Sequence, residues 1–184
     1  MRTVEDALRF KDRLKKNDIK HAVVIGASMA GIKVVEVLHK YGIETWLLDL
    51  ASYIFPLAAY KEVAKEIEKR VEAQGVHLMF GVTIDHMEQE NGEKTAVLTD
   101  GSRIPADIVG LCIGTRAITE TVQGEVEIGR GIVVDDHMRT SVPGIYAAGD
   151  CCEGNNLESG QNQIIGLWAN ANHQGETAGI NMAG

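Results

Sequence analysis

In the stretch VVIGASMAGIKVV, Val23 to Val35, an apolar run breaks at Gly26 and resumes as a helical pattern that contains Gly31. Residues of these types at this spacing can hold a dinucleotide. Gly26 permits a sharp turn out of a strand, and Gly31 lets the following helix pack close on the sheet. The helix start between them, at Ser28 and Met29, directs free N–H groups and a positive dipole end at a pyrophosphate. Ser28 stands where the pattern asks for a glycine that keeps side-chain bulk off the phosphates; its hydroxyl can itself donate to a phosphate oxygen. Asp49 follows Gly26 by 23 residues, at the tip of the next apolar run, where an acid accepts from ribose hydroxyls and repels a 2′-phosphate. No arginine follows before Pro56, so NAD is favoured over NADP. Without their strand, helix, strand context, the same residues would read as a glycine turn that packs a helix on a sheet, with Asp49 an ordinary strand-end acid.

Lys33, in the first helical turn, meets the unfavourable dipole end unless an anion is near, so it faces either the cofactor or water. A second constellation is TSVPGIYAAGD, Thr140 to Asp150. Here a short buried strand is expected to end in Gly149, which admits close approach, and Asp150, an acceptor at the carboxyl edge where α/β sheets bind ligands. From the residues alone this is equally a strand closed by a turn aspartate.

These residues need a particular frame. The pattern VEDALRFKDRLKK predicts a lead-in helix over 4–16, with Val4, Ala7, Leu8 and Leu14 on one face. KHAVVIG is a strand cut by Gly26. A helix follows over 29–41, with Gly31, Val34, Val35 and Leu38 on one face and Gly42 as its stop. ETWLLDL is a second buried strand, AAYKEVAKEIEKRVEAQG a helix with Val63, Ile67 and Val71 inward, and VHLMFG a third strand. Asn91-Gly92 and Asp100-Gly101 then mark two hairpin turns of an antiparallel meander. DIVGLCIG returns to the parallel sheet. Beyond about residue 117 come the strand-like GIVVD and GIYAA, a glycine- and asparagine-rich loop, and a final helix over 167–182. The fold class is α/β: a Rossmann-like parallel sheet with an antiparallel β-meander crossover.

Composition narrows the partners. A formal net charge of −8 over 184 residues argues against nucleic acid. No apolar run reaches the ~20 residues of a membrane span, and MRTVEDALRF is too charged for a signal peptide. The 3 cysteines show neither CxxC nor metal-ligand spacing, so no metal site is expected, Cys112, Cys151 and Cys152 read as packing or loop residues, and the cytoplasm is the simplest compartment.

Three stretches, VVIGASMAG with Asp49, ADIVGLCIGTR, and GIVVDDHMRTSVPGIYAAGDC, resemble the FAD- and NAD(P)-dependent pyridine nucleotide-disulfide oxidoreductases. The branch most resembled holds the NADH oxidases, rubredoxin- and ferredoxin-type reductases and nitrite reductase flavin subunits. The resemblance implies an NAD(H)-binding domain over 1–117 and the later part of an FAD-binding domain over 118–184. It implies that Gly26, Ser28, Met29 and Gly31 cradle pyrophosphate, Asp49 binds ribose, and Gly114 lies beside the NAD. It also implies that Gly149 and Asp150 meet the ribityl chain of FAD, and that the final helix brings Trp168 near the isoalloxazine.

The activity implied is hydride transfer from NADH to flavin and on to an acceptor the residues do not name; no catalytic side chain is assigned. The family's first FAD-binding half and its interface domain have no counterpart here, so the chain reads as a truncated form or as one piece of a split flavoprotein. A homodimer or a complementing flavin-binding half is the expected partner. The alternatives are a non-enzymatic NAD(H)-binding or redox-sensing module, and a βαβ domain without its ligand. Two departures bear on hydride transfer: Lys33 replaces the family's usual acid, and GTRAI replaces the usual Pro-Asn after the arginine.

Overall fold

The computed structural model describes residues 3–16, 18–157 and 159–184. It divides into two compact units, residues 1–114 and 115–184.

The first unit is built on a four-stranded parallel sheet of order β3-β2-β1-β7. Its strands are β1 (His21–Ile25), β2 (Glu44–Asp49), β3 (His77–Phe80) and β7 (Ile108–Leu111). From Ala22 to Ile25 every residue of β1 is buried, because both faces of the sheet are covered. On one face Ala22, Val24 and Leu47 meet Val35 and Leu38 of α2 (Met29–Lys40), Ala64 of α3 (Lys61–Glu72) and Leu14 of α1 (Val4–Lys15). On the other, Val23, Ile25 and Leu48 meet Ala96, Leu98 and Ile104 of a three-stranded antiparallel meander. The meander comprises β4 (Ile84–Glu90), β5 (Glu93–Leu98) and β6 (Arg103–Pro105). Asn91 and Gly92, with φ of 51° and 89°, both take the left-handed conformation that a two-residue hairpin turn requires.

Two helix faces differ from the expectation. α1 starts on a capping box between Thr3 and Asp6. It turns Phe10 and Leu14 inward, while Val4, Ala7 and Leu8 face solvent. Phe10 and Leu14, four apart, join the core cluster that contains Val34 and Leu38; the Val4 and Leu8 pair lies on a different face of the helix. In α3 it is Ala64 that is fully buried, with Ile67 and Val71 packed against the core, and Val63 is outward. Close approach of α3 to the sheet selects the smaller side chain.

In the second unit β8 (Ile132–Val133) pairs in parallel with β9 (Cys152–Asn155), which turns back to β10 (Asn162–Gln163). The glycine- and asparagine-rich segment thus contains a polar hairpin that the composition did not disclose. GIYAA, conversely, forms no strand. It pairs antiparallel with residues 138–140 through a single bridge, Arg139 to Tyr146, flanked by the Thr140 N–H to Ile145 C=O and Ala147 N–H to Met138 C=O bonds, a pairing too short to make a strand. Val126, Ile132, Val134, Met138, Ala147 and Cys152 form the core, closed by Ala178 of α4 (Trp168–Ala183). The buried Glu153 staples this unit: one carboxylate oxygen accepts from the Arg130 and Gly131 N–H groups.

Among the described residues no helix is long and apolar enough to cross a membrane.

Candidate functional site

The turn after β1 is set by backbone approach. Gly26 takes φ of +104°, and a methyl group there would lie 2.7 Å from the Cys112 carbonyl carbon and nearer still to its oxygen. A methyl at Gly31 would overlap the Gly26 carbonyl, with its carbon at 3.1 Å. Both glycines are therefore required by main-chain contacts that join β1, α2 and the end of β7.

Ser28 is under no such constraint. Its φ of −95° suits any residue, and it serves as N-cap of α2, its hydroxyl accepting from the Gly31 N–H at 3.4 Å. The same hydroxyl donates to the Cys112 carbonyl at 3.4 Å. The extra hydroxymethyl group is thus used inside the turn. The N–H groups of Met29 and Ala30 find no acceptor among the described residues, and the Met29 side chain is exposed. Beside the Ser28 cap, these two N–H groups of the first turn form a setting suited to an anion.

Asp49 ties this turn to the next loop. One carboxylate oxygen accepts from the Ala27 N–H at 2.7 Å, the other from the Ala51 N–H at 2.8 Å. The Gly26 N–H donates to Leu48 C=O at 2.8 Å, and the Phe55 N–H to Ala27 C=O at 2.9 Å. Asp49 remains half-buried, and its carboxyl oxygens keep lone pairs beyond these two bonds. Gly114 takes φ of +97° in open space at the end of the first unit.

Lys33 points along an exposed face of α2. Its ammonium pairs with Glu36 at 2.7 Å, and Lys40 pairs with the same carboxylate at 2.6 Å. The two lysines hold the Glu36 carboxyl at a pKa of about 2.

In the second unit Gly149, with φ of +82°, opens a short 3₁₀ turn, Gly149–Cys151. Asp150 is exposed and lies beside Gly166, where a methyl would come within 3.9 Å of its carboxylate. Trp168, the first residue of α4, is 91% exposed, and no side chain caps that helix. The three cysteines are free thiols. Burial pushes the Cys112 thiol up, and pushes Cys152 up to about 11. Among the described residues no cluster of His, Cys, Asp or Glu is arranged to hold a metal ion.

Two arrangements escaped the sequence reading. Gln174 of α4 accepts the Gly149 N–H. Across the amino edge of the parallel sheet, Asp107, His21, Glu44 and His77 form a row of alternating acid and imidazole, with Trp46 stacked on His77 at 4.7 Å. Their common signal is position: three open a strand and Asp107 precedes one.

By its sheet order, the glycine turn after β1 and the acid at the end of β2, the first unit is an α/β domain built on an open parallel sheet. A family model described as pyridine nucleotide-disulphide oxidoreductase matches residues 1–175, and the chain belongs to that family. An NADH oxidase of Streptococcus pyogenes is 30% identical over 94% of this chain and 38% of its own length. A rubredoxin-NAD(+) reductase of Pseudomonas putida is 30% identical over 85% of the chain and 41% of its own length. Among solved structures, the water-forming NADH oxidase of Lactobacillus brevis, described bound to NADH, superposes with a TM-score of 0.90. It is 28% identical, covering 98% of this chain and 40% of that one. An engineered mutant of that enzyme, which loses one aspartate and gains two arginines among its substitutions, is described bound to NADPH. It has a TM-score of 0.84 and 27% identity, over 93% of this chain and 39% of that one. The chain spans about two-fifths of the length of these relatives.

Proposed function

We propose that this chain carries the NAD(H)-binding part, and a segment of the FAD-binding part, of an NADH-dependent flavoprotein oxidoreductase. The observation that carries the reading is the clasp of Asp49 on the Ala27 N–H, which fixes a ribose acceptor to a turn whose next amides are unpaired. In this reading Gly26 and Gly31 keep the turn tight, Ser28 caps it from inside, and Met29 and Ala30 present their N–H groups to pyrophosphate. Gly114 leaves room beside the nucleotide. Gly149 and the exposed Asp150 fit a polyhydroxyl chain, and Trp168 offers an aromatic face for a flavin. A bound flavin would supply the chemistry of hydride acceptance and electron transfer; the residues named here would bind and orient it.

The same aspartate disfavours a 2′-phosphate by like charge, and the loop 50–60 contains no Lys or Arg to offset it. The engineered relative described bound to NADPH, in which an aspartate is exchanged for alanine and two arginines are introduced, supports this assignment of selectivity. Calorimetric titration of the purified chain is expected to give NADH an affinity at least about tenfold above NADPH, a difference of about 1.4 kcal/mol. Asp49→Ala is expected to erase the difference. Equal affinities for the unaltered chain would overturn the reading.

A further inference from the structure

The turn that presents Asp150 has no cap of its own: no side chain from its flanking residues bonds its amino end, and Ala148 before it is extended. What holds it comes from α4, 25 residues on. The Gln174 side-chain carbonyl accepts the Gly149 N–H at 2.8 Å. The Cys152 sulfur lies 3.3 Å from the same oxygen and 3.2 Å from the Gly149 carbonyl, so its thiol donates into both. Gly149 and Cys152 are buried and Gln174 is half-buried, which keeps water from replacing these bonds freely. One turn further towards the start of α4, Ala171 packs on Gly149, where a methyl would meet its Cβ at 3.4 Å. Both ends of the segment, Gly149 and Cys152, are thus fastened to one oxygen, and Asp150 projects from between them.

We propose that Gln174 is the positioning residue of this segment, its carbonyl bracketing Gly149 and Cys152 so that Asp150 presents its carboxylate to the hydroxyls of a flavin ribityl chain. The proposal rests on the flavin reading above for its ligand, but the bracket itself is made by this chain's own residues. The carbonyl is the working atom: Gln174→Glu keeps an acceptor at the same reach, whereas Gln174→Leu keeps the bulk and removes it. A lost buried hydrogen bond corresponds to roughly tenfold.

The test is made on the full chain with both variants. Amide exchange at Gly149 and maleimide labelling of Cys152 are followed without ligand, and FAD binding by quenching of flavin fluorescence. Gln174→Leu is expected to speed both exchange and labelling about tenfold and to weaken FAD by a similar factor, while far-UV circular dichroism shows that the chain stays folded. Gln174→Glu is expected to restore all three. If the unaltered chain quenches no FAD, the flavin reading fails, and exchange and labelling still decide whether the bracket exists. If Gln174→Leu leaves exchange at Gly149 unchanged, or changes it while FAD affinity stays the same, the positioning role is refuted.

Discussion

Gly26→Ala tests whether the glycine turn after β1 is built by main-chain contact. The new methyl would sit 2.7 Å from the Cys112 carbonyl carbon, where carbon atoms prefer about 3.5 Å or more. Neither side can swing away. The Gly26 N–H is bonded to Leu48 C=O at 2.8 Å and the Cys112 N–H to Ile25 C=O at 2.7 Å, so relief requires β1 and β7 to part. Forcing a side chain into this overlap costs about 1–3 kcal/mol, and holding alanine at a φ of +104° adds about 1–2 kcal/mol. The sum, about 2–5 kcal/mol, is a large part of the 5–15 kcal/mol that stabilises a typical domain. Gly110→Ala is the internal control. Its methyl would meet Val24 and Val34 at 3.7 Å, an ordinary contact, and its φ is not left-handed, so the expected change is within about 1 kcal/mol. Urea unfolding read by Trp46 fluorescence, in a Trp168→Phe background, reports on the first unit. With a slope of about 1–3 kcal/mol/M, Gly26→Ala should lower the midpoint by about 1 M or more. An unmoved midpoint, or equal losses from Gly26→Ala and Gly110→Ala, would refute the reasoning.

Three further outcomes are expected. Glu153→Ala leaves the Arg130 and Gly131 N–H groups without their acceptor and should destabilise the second unit by about 2–3 kcal/mol, against about 1 kcal/mol for Glu153→Gln, in chemical denaturation. Burial raises the Asp107 pKa, but the Lys20 and His21 N–H groups and the His21 charge outweigh it, and the carboxyl ends below its usual 3.8. Its stabilisation is present above that value and lost as pH falls below it, so Asp107→Asn should flatten the decline in thermal midpoint below about pH 4. Cys152, with its thiol raised from 9 to about 11, keeps its proton longer in the folded chain than unfolded. Stability should therefore fall as pH climbs from 9 towards 11, and Cys152→Ser should lessen that fall in a pH series of urea titrations.

Much of the frame was legible because its signals are local. Alternating strand and helix patterns, Asn91-Gly92, and the helix stop at Gly42 each depend on residues within a few positions. Gly26 and Gly31 were readable for the same reason. The inward face of α1 was not, because Val4 with Leu8 and Phe10 with Leu14 share the same spacing, and only the position of α2 decides between them. The β9–β10 hairpin pairs polar residues and so leaves no apolar alternation. GIYAA has the composition of a strand, but a strand needs a neighbour that runs beside it for several residues, and here the pairing is a single bridge. The orientation of Lys33 was in fact present in the sequence: Glu36 follows it by three residues and precedes Lys40 by four, the spacing of helical ion pairs. Gln174 carried no signal at all, since its partners lie 22 and 25 residues away and a helical glutamine fits no pattern.

Cys112 contributes to the turn through its main-chain oxygen, which faces Gly26 and Ser28, and not through its sulfur. The two sides of that contact therefore tolerate sequence drift very differently: position 26 is closed to every side chain, while position 112 is open to any small apolar one that fits beside α2. A residue that would attract attention as a thiol is thus replaceable. Cys112→Ala gives a background in which labels on Cys151 and Cys152 report without interference from this thiol, and the seam between β7 and the glycine turn stays intact.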